Sequence, residues 1–144
     1  MTVIISTDIH AQIRRYLEGT FPNEGGGFLI GKLENEHRIV TESRFVKNSF
    51  ETEEQYHRYL MESGAYQDAE DEADARGLSL LGYFHSHPNH PAVPSEFDRV
   101  HAWPHFLYLI VSVREGEAVE SLAWELADNR DRFYPVALEE IKVN

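Results

Sequence analysis

The stretch "LSLLGYFHSHPNHPAVPSEFD", Leu78 to Asp98, decides how this chain folds and what it can do. "LSLLGYF" is an apolar run of the kind expected of a strand buried on both faces. It leads straight into His85-Ser86-His87-Pro88, so two histidines leave the strand end two residues apart, with side chains on the same side. Two strand residues span about 6.6 Å, and two imidazoles projecting from there can reach one ion at ~2.0–2.1 Å. A pair of satisfied histidines with no metal fits the same spacing.

The far end of the stretch also has two readings. Ser95 follows Pro94 and stands three residues before Asp98, the pattern of a helix start. Ser as N-cap and an acid at the third helical position form a capping box, and the negative charge suits the helix dipole. That reading explains Ser95 and Asp98 without a metal. It leaves the two histidines and the proline-clamped loop unexplained. Residues three apart share a helix face, so Asp98 as a third ligand would hold Ser95 near the same ion. Three protein ligands with one open position is the catalytic pattern, whereas structural zinc is usually closed by four. Such a site needs a general base, and spacing alone does not select it from 25 acidic residues.

Outward from this stretch, the chain alternates helix and strand signals. "TDIHAQIRRYLEG" carries Ile9, Ile13 and Leu17 on one helical stripe, with Ser6 or Thr7 as cap and Gly19 at the end. "FPNEGGG" breaks the pattern, "FLIGKL" follows as a short strand, and "HRIVTESRFV" forms the next strand across the turn "KLENEHR". Residues 48–64 are ambiguous. Alanines 65, 69 and 73 mark the small face of an acidic helix that Gly77 ends. "SEFDRVHAW" starts a helix, "HFLYLIVSV" is an apolar strand, and "AVESLAWEL" and "RFYPVALEEIKV" are strands around "ADNRD". The expected fold is α+β (α/β/α-like), a single domain over residues 1–144. A curved, mixed or antiparallel sheet is flanked by two or three helices.

Composition narrows the function. The 144 residues hold 42% hydrophobic and 26% charged residues, the balance of a globular protein. With no cysteine, disulfides and thiolate ligands are excluded, so any metal sits on His, Asp or Glu. A net charge of −12 argues against general nucleic-acid binding. The acidic blocks at Glu51–Glu54 and Asp68–Arg76 read as solvated faces. No apolar run reaches the ~20 residues of a membrane helix. The N-terminus lacks a basic n-region and a cleavable apolar core, so a cytoplasmic location is expected.

His85-Ser86-His87-Pro88, then Ser95 and Asp98, resembles the H-[ST]-H-P-x6-S-x-x-D signature of JAMM (MPN-plus) zinc metallopeptidases. The family also carries a glutamate in a P-x-E-x-x-G context between its first helix and a strand, and Pro22-Asn23-Glu24-Gly25-Gly26-Gly27 stands at that place. "YLIVSV" at Tyr108–Val113, followed by a strand with Trp124, is similar to the family's core. The resemblance implies that His85, His87 and Asp98 bind one zinc ion per chain. It further implies Glu24 as general base and then acid, and Ser95 as hydrogen-bond donor to the carbonyl or its oxyanion. Without it, "EGGG" is a turn and Glu24 a solvated loop residue. The glycines lack the Lys-Ser/Thr ending of a phosphate-binding loop. Ser86 is assigned a structural role, and His90, His101 and His105 fall outside the signature.

The chain lacks the long insertions of eukaryotic ubiquitin-chain enzymes and is similar to the short prokaryotic members. The implied reaction is hydrolysis of an amide or isopeptide bond at the C-terminal Gly-Gly tail of a partner. That partner is a ubiquitin-like modifier or a sulfur carrier (ThiS/MoaD-like) from which a terminal residue or adduct is removed. The alternatives are a zinc hydrolase of another amide, or a non-catalytic scaffold like the relatives that keep the fold and lose the site. Nucleic acid and membrane are not expected partners.

Overall fold

A computed structural model describes residues 2–50 and 64–142 of the chain. In order, the elements are β1 (Thr2–Ser6), α1 (Thr7–Thr20), β2 (Glu24–Glu34), β3 (His37–Phe50), α2 (Ala65–Ala75), β4 (Ser79–Pro88), α3 (Glu96–His101), β5 (Leu107–Arg114), β6 (Glu117–Leu126) and β7 (Phe133–Ile141). The ambiguous segment and the first acidic block fall mostly or wholly outside the described residues.

The strands form one mixed sheet in the order β1-β3-β2-β4-β5-β6-β7, closed into a barrel because β1 also pairs with β7. The expected curved sheet is therefore mixed, and its closure is a correction. That closure depends on β1, for which the sequence pattern gave no sign. The strand is five residues long and runs parallel to both its neighbours, β3 and β7. Closure removes the unpaired edges that an open sheet exposes.

α1 forms where its stripe predicts, with Ile13 and Leu17 fully buried and the Ser6 side chain accepting from the Ile9 N–H. It packs on a core of Val3, Ile5, Leu29, Val40, Phe84, Leu109 and Val111. A second core gathers Phe28, Tyr83, Tyr108, Phe106 and Leu126 with Ala69 of α2. Alternate residues of β4 feed the two cores, Phe84 one and Tyr83 the other. The solvated-face reading of Asp68–Arg76 holds, since Ala69 and Ala73 alone are buried there.

The "EGGG" segment corrects the expected turn: β2 already begins at Glu24, so these glycines lie in a strand. A Cβ on Gly27 would stand 2.2 Å from the Arg44 carbonyl oxygen and 2.7 Å from the Phe84 ring. Here glycine serves close packing, not turning. The reversal to β3 is confined to Asn35 and Glu36, both at positive φ (49° and 69°), the backbone a two-residue hairpin needs.

β4 and β5 run parallel, which requires a crossover. The proline-rich loop and α3 supply it, and so carry Ser95 and Asp98 back over the end of β4.

Candidate metal centre

His85 and His87 stand in the last turnless stretch of β4, both on the Tyr83 side of the sheet, and Asp98 lies in the first turn of α3. All three are buried, between 3% and 5% exposed. Their ligand atoms fall within 4.8 Å of one another, the arrangement of a group that could hold a metal ion. The two Nε2 atoms are 3.2 Å apart. Asp98 Oδ1 lies 3.3 Å from His85 Nε2, and Oδ2 lies 3.2 Å from His87 Nε2. A tetrahedral ion with bonds of ~2.0–2.1 Å separates its ligands by about 3.3–3.4 Å. Nitrogen and carboxylate donors at that spacing fit a zinc-like ion.

Surrounding contacts fix these groups. His87 Nδ1 lies 2.9 Å from the Pro91 carbonyl oxygen, which can only accept, so Nδ1 carries the proton and Nε2 turns its lone pair to the centre. Ser86, on the opposite side of the strand, accepts the Gly25 N–H at 3.0 Å and ties β4 to β2 beside Glu24. Trp124 Nε1 donates to the Ala92 carbonyl at 3.0 Å, and the Ser112 hydroxyl donates to the His90 carbonyl at 2.6 Å. Those two bonds pin the proline-rich loop to β6 and β5.

The two readings of "SEFD" turn out to be one structure. The capping box is complete: the Ser95 hydroxyl oxygen accepts the Asp98 N–H at 3.0 Å, and Asp98 Oδ2 accepts the Ser95 N–H at 2.9 Å. The same carboxylate faces both histidines. The cap thus aims the acid, and a helix of only six residues is held by its caps more than by its own cooperativity. At the other end of α3, Arg99 donates to the Arg130 carbonyl at 2.7 Å and Arg130 to the Val100 carbonyl at 3.0 Å.

A cleft of about 540 Å³ opens beside the centre, lined by Glu24, His87, Pro88, His90, Pro91, Val93 and Ser95. Glu24 and Ser95, from opposite ends of the fold's first hairpin and its crossover, therefore share one hollow with a histidine of the centre. His90 stands on the cleft wall, and His105 pairs with Asp128 at the surface, 2.9 Å away. Neither joins the three-residue group among the described residues. The loop anchors Pro91, Ala92 and Trp124 were not legible from the pattern, because two of them act through backbone carbonyls.

Known proteins resemble this chain in sequence and in fold. Residues 6–127 match the family of prokaryotic homologs of the JAB domain. A desampylase of Pyrococcus furiosus is 32% identical over 104 residues, covering 71% of this chain and 66% of that protein, just under two thirds of its length. A solution structure of a protein from Salinibacter ruber is 34% identical with a TM-score of 0.74, covering 100% of this chain and 92% of the other. The crystal structure of a JAB1/MPN domain protein from Archaeoglobus fulgidus shares the fold at 16% identity, with a TM-score of 0.62 over 99% of this chain and 100% of that one. No described helix is long and apolar enough to cross a membrane. The chain belongs to the prokaryotic JAB-domain family, in its short form.

Proposed function

We propose that the chain, acting as one catalytic domain over residues 1–144, is a zinc-dependent hydrolase of amide or isopeptide bonds. The observation that carries the reading is the convergence of His85, His87 and Asp98 at ligand spacing beneath a cleft that Glu24 and Ser95 line. Two neutral imidazoles and one carboxylate suit zinc, and three ligands leave a position open. Zinc held there supplies Lewis acidity, polarising a carbonyl and making water acidic enough to attack near neutral pH.

The chain's own residues do the rest. Glu24, half-buried at the cleft, takes the proton of the attacking water and returns it to the departing amine. The Ser95 hydroxyl donates to the carbonyl oxygen as negative charge develops on it. The proline-walled cleft orients an extended tail, and glycine at the tail's end lets the backbone approach closely. Similarity to a protein named desampylase supports a ubiquitin-like partner with a Gly-Gly tail, of modifier or sulfur-carrier type.

The test pairs metal content with turnover. Purified without chelator, the wild-type chain should carry about one zinc, and Glu24→Ala should keep it while losing ~10²–10⁴-fold in kcat on a Gly-Gly-tailed fusion. Near-full activity in that variant would remove Glu24 from the role. An absence of zinc even after supplementation would overturn the enzyme reading itself.

A further inference from the structure

The outer face of the barrel divides into two parts. Every strand sends residues to the first core, which therefore fills the barrel. On the outside, α2 packs over β2 and β4, where the second core lies. Away from α2, the barrel wall is made by β1, the start of β3 and the end of β7. There Val3 and Ile5 of β1 and Arg38 and Val40 of β3 are buried, so Ile4 and Ile39 between them face outwards. With Ile9 and Ile141 they open into an apolar hollow of about 400 Å³, which Asp8 also lines.

Strand register places opposite charges on the two sides of these isoleucines. Lys32 pairs with Ile39, Ile39 with Ile4, and Ile4 with Glu139. Paired residues share a face, so one row crosses four strands as Lys32, Ile39, Ile4 and Glu139. Its two charged ends are exposed and its centre is partly buried. Neighbouring strands lie ~4.8 Å apart, which sets the two ends about 14 Å from each other. A second copy, turned about a two-fold axis that runs along the strands between β3 and β1, exchanges those ends. Lys32 then meets Glu139 of the second copy on one side, Glu139 meets its Lys32 on the other, and each Ile39 faces an Ile4. In the next row Glu34 pairs with His37, and Thr2 with Ala137. The same axis sets Glu34 over Ala137 of the second copy, so neither row opposes like charges.

We propose that this face pairs with itself, making the chain a two-fold dimer centred on Ile4 and Ile39 and flanked by two Lys32–Glu139 ion pairs. The outer face of a barrel is convex, so the contact is a band along two strands and belongs among the small, reversible interfaces. Gly26, the partner of His85, stands six residues before Lys32 on β2, about 20 Å along the strand. The cleft stays open in both copies, and the dimer does not depend on the metal centre.

Self-association is measured by analytical ultracentrifugation of the wild-type chain and of two charge reversals, Lys32→Glu and Glu139→Lys. Salt at ~0.15 M confines the repulsion between two copies of net charge −12 to about 8 Å. The wild type should pass from monomer to dimer as its concentration rises towards about 1 mM. Either reversal alone opposes like charges at both ends of the row and should weaken the dimer at least ~10-fold. Mixed in equal amounts, the two reversals again oppose unlike charges at both ends, and a dimer of one of each should form with close to wild-type affinity. That recovery also shows that both variants fold. A wild-type chain that stays monomeric up to about 1 mM overturns the dimer and leaves the face to a different partner. Reversals that associate as the wild type does, or a mixture that stays monomeric, overturn this face as the interface.

Discussion

Among the described residues, histidine is buried against carboxylate in two places, and they differ in where the nitrogen lone pairs go. At the end of β4, His85 and His87 turn Nε2 towards each other and towards Asp98, 3.2–3.3 Å apart. On the far side, His10 of α1 spends both ring nitrogens on the protein. Nδ1 lies 2.7 Å from Glu140 of β7, and Nε2 lies 2.8 Å from Ser121 of β6. β6 and β7 pair directly only from Ala123 to Leu126, so beyond that α1 fills the gap between them. Glu18 accepts the Ala118 N–H there at 2.9 Å, and His10 bridges the two strands. The same residue types thus make a candidate metal centre in one place and a structural pin in the other. Convergence of acceptors, rather than the presence of histidine and acid, separates them.

The largest effect should come from the acid that serves both cap and centre. Asp98→Ala removes a proposed ligand and half of the capping box, and zinc affinity should fall by more than the ~10–100-fold typical of outer-shell changes. Asp98→Asn separates the two duties. Its amide oxygen can still accept the Ser95 N–H, so helix content and thermal midpoint should stay near those of metal-free wild type while zinc is lost, as read by metal analysis and circular dichroism. Zinc retained at one equivalent in Asp98→Asn would show that the carboxylate is there for the cap, and the contrast between the two clusters would collapse.

At the pin the expectation reverses. His10→Ala should cost roughly 1–3 kcal/mol of stability, because it strips partners from Ser121 and Glu140 at the seam of the barrel. Zinc content and turnover of the folded fraction should not change. Denaturant titration alongside metal analysis tests both halves, and a His10→Ala chain that lost zinc at full stability would break the comparison from the other side.

What could be read from the chain follows the same division. α1, β4 and β5 were legible because their burial is written in side-chain periodicity: Ile13 and Leu17 on one stripe, and apolar runs in both central strands. The histidine pair and Asp98 were legible as spacing, though not as convergence. Their meeting depends on a parallel crossover and on the carbonyls of Pro91 and Ala92, which carry no residue signature. Glu24 was visible only through family resemblance, since its place is set by pairing with strands far along the chain, as the Gly25–Ser86 bond shows. β1 and the barrel closure escaped for a related reason: five residues reveal little until β3 and β7 pair on either side.

The smallest effect is also the one that distinguishes the clusters without removing an atom from the centre. Burial, the largest influence, holds the His10 pKa below its usual 6.5, with the charge of Arg14 acting the same way and the Glu140 hydrogen bond opposing them. The folded chain therefore keeps His10 neutral at a pH where the unfolded chain takes up a proton. Its contribution to stability is complete above pH 6.5 and fades as pH falls from there towards the lowered value. In metal-free protein, the thermal midpoint should decline as pH falls below 6.5, and His10→Gln should flatten part of that slope. With zinc present a second, steeper loss should appear on acidification, because protons compete with the ion for imidazole. That added loss should persist in His10→Gln and vanish in Asp98→Asn. If His10→Gln removed the zinc-dependent part as well, the two clusters would be coupled through the barrel, and the pin would have to be counted as part of the metal centre's support.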